Sequence, residues 1–149
     1  MLSKRTQLWL LLLAGFSLCL GSYVYLAERP YGSSVLSTTL DWHLALPSFL
    51  GKLAYSLPSF SHVVAFSILS FLALERRALL CCLSWASINA LFELGQHSAV
   101  SQLFTLQWAD SLAPSIRQFF ILGTFDPFDL VAIVSGAICA YSVIQLFRE

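Results

Sequence analysis

Four long runs of apolar residues, separated by shorter mixed segments, form the main pattern of this chain. They cover about residues 7–27, 59–74, 78–97 and 127–147. Because a helix rises about 1.5 Å per residue, about 20 apolar residues cross the roughly 30 Å hydrocarbon core of a bilayer. The pattern predicts an all-α, polytopic membrane protein in which residues 1–149 form a single membrane domain with four transmembrane helices.

The first two runs each leave an alternative open. The first run follows "MLSKR", as a secretory signal peptide would, but no convincing small-x-small cleavage site comes after it, so a retained anchor is favoured. The second run has sixteen residues, which indicates an upright helix or one that begins within a re-entrant segment. Pro58 and Pro127 both suit the first turn of a helix.

Two connecting segments, residues 28–58 and 98–125, combine aromatic and leucine residues with Pro and Gly. Such stretches are typical of amphipathic helices in the membrane interface, or of re-entrant pieces packed on a bundle. Trp42, Tyr55 and Trp108 suit the depth of the lipid headgroups. We therefore expect amphipathic extracytoplasmic loops.

The basic residues predict the orientation in the membrane. On one side of the four runs lie Lys4, Arg5, Arg76, Arg77 and Arg148; on the other lie Arg29, Lys52 and Arg117. Short cytoplasmic loops carry the excess of Lys and Arg. Both termini are therefore expected in the cytoplasm.

Composition excludes some partners and cofactors. Hydrophobic residues make up 58% of the chain and charged residues 11%, with eight Lys+Arg against eight Asp+Glu, so no basic surface for nucleic acid is expected. The four cysteines lie in apolar stretches without zinc-site spacing and are interpreted as packing residues. No metal and no cofactor is expected; membrane lipids are the expected partners, and a partner membrane protein is a further possibility.

A few ionisable residues fall within the apolar runs. His62, Glu93 and Asp129 are each predicted about 5 Å inside the outer end of a span, in one layer. Asn89, Gln96 and His97 share a helix face with Glu93, at i−4, i+3 and i+4. The layer predicts a polar pocket or, alternatively, a structural hydrogen-bond network.

Helix capping and close helix packing are simpler explanations for several of these positions. Asp126 fits an N-cap, Pro127 position N1 and Asp129 position N3, while His97 suits a solvated or interfacial role. Small residues also recur at four-residue intervals: Ala132, Gly136 and Ala140 in the last span, and Ala86 and Ala90 in the third. This spacing favours close contacts between helices within the chain, with a homodimer as the alternative.

Three short motifs resemble those of the VanZ-like proteins, small bacterial multi-span membrane proteins named for an accessory protein of glycopeptide resistance. They are "HVVAF", "ELGQ" and "DLVAIVSG", in the family's order, within a region of about residues 58–149. The matching positions are His62, Phe66, Glu93, Gln96, Asp129, Ala132 and Gly136. The chain lacks the family's Asp-Lys pair before the His, has Ile133 in place of its Asn, and lacks the Arg before its Asp.

The resemblance implies a protein of the bacterial inner membrane. A polar pocket in the outer leaflet, formed by His62, Glu93, Gln96 and Asp129, would bind a cell-envelope or lipid-linked molecule. One alternative is a non-catalytic subunit or assembly factor of a membrane complex. Another is a membrane-embedded enzyme with candidate catalytic residues Glu93 as general acid or base, His62 as its proton partner or a metal ligand, and Asp129 orienting His62. A transporter is disfavoured because the inner halves of spans two to four are nearly all apolar.

Overall fold

Five helices account for the regular structure in the described parts of the chain. The computed structural model describes residues 2–28, 53–75, 77–107, 120 and 123–148. The helices are α1 (Lys4–Glu28), α2 (Leu53–Leu74), α3 (Ala78–Gly95), α4 (Ser98–Gln107) and α5 (Pro127–Leu146). The interpretations of Trp42 and Trp108 as interface residues lie outside the described residues.

Four of these helices are long and apolar enough to cross a membrane: α1, α2, α3 and α5. Each of these helices has at least 18 consecutive residues with few charged side chains. A helix also forms its backbone hydrogen bonds internally, as the hydrocarbon core requires. Many large apolar side chains on these helices point outward. The predicted all-α membrane fold with four spans is confirmed.

The second span differs from its predicted bounds. Helix α2 begins at Leu53 and continues without a break through Pro58, so it has 22 residues and is not short. Pro58 lacks an N–H and weakens one turn, but it is buried where α1 packs against α2. Tyr55, assigned from sequence to a loop, is an exposed residue of α2.

Helix α2 lies at the centre of the bundle. It packs against α1, α3 and α5, and α3 also packs against α5, whereas α1 packs mainly on α2. The apolar core gathers along α2 and the faces that surround it: Leu10, Ala14, Val64, Ala65, Ile68, Phe71, Ala78, Cys81, Cys82, Ala140 and Ile144. Burial of Cys81 and Cys82 in this core agrees with their interpretation as packing residues.

Two glycines allow the helices to approach α2 closely. A Cβ on Gly21 of α1 would lie 2.8 Å from Cβ of Ser61, and a Cβ on Gly136 of α5 would lie 2.8 Å from the carbonyl oxygen of Phe60. Ala140, one turn after Gly136, is fully buried. Gly136 and Ala140 therefore make intramolecular contacts, as the four-residue spacing predicted for them.

Both chain termini lie at the same end of the bundle as the α2–α3 connection. The side-chain amide of Gln7 donates to the carboxylate of Glu75 over 3.0 Å, and the guanidinium of Arg148 lies 5.7 Å from the ring centre of Phe71. We call this the basic end, because its exposed side chains include Lys4, Arg5, Arg77 and Arg148. The opposite end carries Glu93, Asp126 and Asp129 and is called the acidic end.

Candidate polar site at the acidic end

Glu93 joins the end of α3 to the start of α5. Its side chain is only 7% exposed, and its Oε1 accepts a hydrogen bond of 2.7 Å from the backbone N–H of Asp126. The first N–H groups of a helix and the residue before it have no partner within the helix, so a carboxylate here satisfies a donor and complements the positive end of the helix dipole. The carboxylate thus has a structural role whatever else it binds.

The sequence "FDPFD" forms the helix start that was predicted. Asp126 has an extended backbone and its side chain accepts from the N–H of Phe128 at 2.9 Å, while Pro127 occupies the first turn. The N–H of Asp129 donates to the carbonyl of Asp126 at 3.0 Å, and Asp129 contributes a second carboxylate to this turn. Capping explains Asp126 fully; Asp129 adds charge beyond what one N-cap requires.

The residues after Glu93 divide between buried and exposed. Gln96, 8% exposed, ends α3 with a backbone hydrogen bond to the carbonyl of Glu93. His97 is exposed, and its ring meets the ring of Phe125 edge-on at 5.2 Å. Its Nδ1 accepts from the N–H of Ala99 at 3.4 Å, so this side chain helps to start α4. Glu93 and Gln96 are therefore the buried part of the predicted polar stripe.

Phe120 packs over the end of α3, a contact that the sequence did not reveal. Its ring lies so close to Gly95 that any Cβ there would overlap it, and it stacks on the ring of Phe92 with centres 5.9 Å apart. The glycine directly before Gln96 was the available signal, because close approach of another group often requires glycine. Phe120 thus packs against Phe92 and Gly95 at the end of α3.

His62 lies deeper in the membrane domain than predicted. It follows Leu53 by nine residues, or about 13 Å along the axis, instead of about 5 Å. Gly136 of α5 meets α2 at Phe60 and Val63, beside His62, whereas Asp129 lies seven residues earlier in α5, about 10 Å toward its start. The expectation that His62 shares a layer with Asp129 was wrong, because α2 begins earlier than Pro58 suggested.

The acidic end can act chemically as a set of hydrogen-bond acceptors. Glu93, Asp126 and Asp129 bring three carboxylates to one helix junction, while the described Lys and Arg residues lie at the basic end. Within the described residues, no group of three or more His, Cys, Asp or Glu side chains has the arrangement of a metal site. A ligand suited to this end would carry hydrogen-bond donors or positive charge.

Comparisons with known proteins found no relative. No family model matches the chain, and neither a curated protein nor a solved structure does. The VanZ-like resemblance therefore rests on the three motifs alone.

Proposed function

We propose that this is a VanZ-like membrane protein whose acidic end binds the headgroup of a cell-envelope or lipid-linked molecule. The observation that carries the proposal is the buried carboxylate of Glu93 at the junction of α3 and α5. Ionisable groups in membrane helices are costly and usually mark a functional site. An amide oxygen also accepts from a backbone N–H, so the bond to Asp126 does not by itself require a charged side chain.

The positions that carry the family resemblance support this reading. Glu93 and Gln96 of α3 and Asp129 of α5 belong to two different motifs and lie at the same end of the bundle. Gly136, in the same motif as Asp129, allows α5 to approach α2 closely. Residues of the second and third motifs thus lie at the proposed site or hold α5 against α2. His62 and Phe66, from the first motif, lie deeper along α2, away from this end.

The most direct structural test is a density map of the full-length protein purified in lipid nanodiscs, with an antibody fragment bound to the basic end. The proposal expects non-protein density with a headgroup within hydrogen-bond distance of the carboxylate of Glu93 or Asp129. A well-resolved map in which only protein atoms contact both carboxylates would contradict it.

We further propose that the protein resides in a bacterial inner membrane with its basic end in the cytoplasm. The exposed Lys4, Arg5, Arg77 and Arg148 at that end support the orientation. In a variant whose native cysteines are replaced by alanine, an impermeant maleimide added to cells should label Thr124→Cys at once. It should label Ser3→Cys only after the membrane is opened. The reverse pattern would overturn the orientation.

A non-catalytic subunit or assembly factor is the second candidate. The Glu93 bond to Asp126 and the packing of Phe120 on Gly95 are sufficient by themselves for a structural network. Both candidates are non-catalytic. The enzyme alternative needs His62 within reach of its acidic partners, and the axial offset of about 10 Å between His62 and Asp129 weighs against it.

A further inference from the structure

A stripe of α2 faces outward between α1 and α3. Tyr55, His62, Phe66, Leu69 and Ala73 follow one another at spacings of seven, four, three and four, which places them on one side of a helix. Tyr55 and Ala73 are exposed, and the other three are half-buried. In the part of the chain that the structure describes, α1 packs mainly on α2 and hardly touches α3, so the stripe forms the floor of a cleft between α1 and α3.

Aromatic rings on α2 and α3 form a fixed platform in this cleft. Phe66 stacks on Trp85 with ring centres 4.7 Å apart, and the ring of His62 lies 6.0 Å from that of Phe66. The indole N–H of Trp85 donates to Ser70 over 2.7 Å, so its donor is already used and the ring is held in place. Asn89 is likewise engaged, since its amide donates to the carbonyl of Trp85 at 2.9 Å.

His62 supplies this cleft with a hydrogen-bonding group near the middle of the span. The imidazole lies about 13 Å from the start of α2 and about 18 Å from its end. Among the described residues its ring contacts Phe66 and makes no hydrogen bond. A neutral imidazole carries one N–H donor and one acceptor, and hydrocarbon tails can satisfy neither.

We infer that the cleft binds a membrane quinone, a flat ring with carbonyl acceptors on an apolar tail. The ring would stack against Phe66 or Trp85 while a carbonyl accepts from the N–H of His62. The depth of His62 argues against a phospholipid, whose ester carbonyls lie at the edge of the hydrocarbon core. The inference is independent of the proposed function, because the residues of the cleft are different from those of the acidic end.

Fluorescence of Trp85 provides the test. In full-length protein with Trp9, Trp42 and Trp108 changed to Phe, titration in detergent with a short-tailed benzoquinone should give saturable quenching. His62→Phe keeps an aromatic ring but removes the donor, and should weaken the apparent affinity about tenfold, as expected for loss of one hydrogen bond. His62→Gln retains a donor and should recover part of the affinity.

Two controls make the result decisive. His97→Phe changes the exposed histidine near the acidic end and should leave the titration unchanged. An alkylbenzene of equal tail length without carbonyl groups should fail to compete. The inference would be overturned by quenching that does not saturate, or by equal affinity of the quinone for folded His62→Phe. Competition from the alkylbenzene would also overturn it, as would quenching seen only when mass measurements show the protein to be a dimer.

Discussion

Replacing Gly136 by alanine is expected to destabilise the bundle by about 1–3 kcal/mol, the usual cost of overpacking. The added Cβ would lie 2.8 Å from the carbonyl oxygen of Phe60 and 3.3 Å from Cβ of Val63. The first contact is with backbone, so no rotamer change can relieve it, and α5 must move away from α2. Thermal unfolding of the purified protein in detergent, followed by circular dichroism, measures the effect as a lower melting temperature.

Gly15→Ala is the matched control within the same fold. Apart from its chain neighbours and its own helix backbone, no described atom lies within 4 Å of the position that its Cβ would occupy, and Gly15 is exposed on α1. Alanine is favoured over glycine inside a helix by about 1 kcal/mol in water, so this variant should melt at the same temperature or slightly higher. Equal destabilisation of both variants would contradict the close contact between α5 and α2.

The second large effect is expected at Glu93, where two substitutions separate charge from hydrogen bonding. Glu93→Ala removes the acceptor of the Asp126 N–H and leaves a donor without its partner, at a cost of about 1–3 kcal/mol. Glu93→Gln retains an oxygen at this position and should unfold close to the wild-type temperature. Melting curves and the amount of protein in the membrane check both expectations.

Glu75→Gln is the control for loss of a carboxylate elsewhere. Glu75 lies at the basic end and accepts from Gln7, far from the α3–α5 junction. Its substitution should change the melting temperature little. If Glu93→Ala also proves as stable as the wild type, the Glu93 bond does not hold the start of α5, and the structural account of this junction fails.

Local chemistry made much of the fold predictable. Apolar runs of sufficient length predict spans, and the order Asp126, Pro127, Asp129 predicts a helix start because each residue type suits one capping position. The described basic residues, Lys4, Arg5, Arg77 and Arg148, likewise lie at one end of the bundle, as the alternation of four spans requires. These features depend on residues near one another in the chain.

The start of α2 was predicted wrongly because of one proline, and two contacts between residues distant in the sequence were not predicted. A proline weakens one turn of a helix but does not show which turn it is, so Pro58 gave a start five residues or more too late and placed His62 too near the surface. The bond between Glu93 and Asp126 joins residues 33 positions apart, and the contact of Phe120 with Gly95 joins residues 25 positions apart. No periodicity encodes such pairs.

The measurement that tests the proposed function most directly is mass spectrometry of the molecules that remain bound to Glu93→Gln after purification in nanodiscs. The wild type and Glu75→Gln should retain the same cell-envelope or lipid-linked molecule. Folded Glu93→Gln should lose most of it, because the charge is absent while the helix junction stays intact. An identical set of bound molecules in all three proteins would contradict a ligand site at Glu93 and favour the purely structural role.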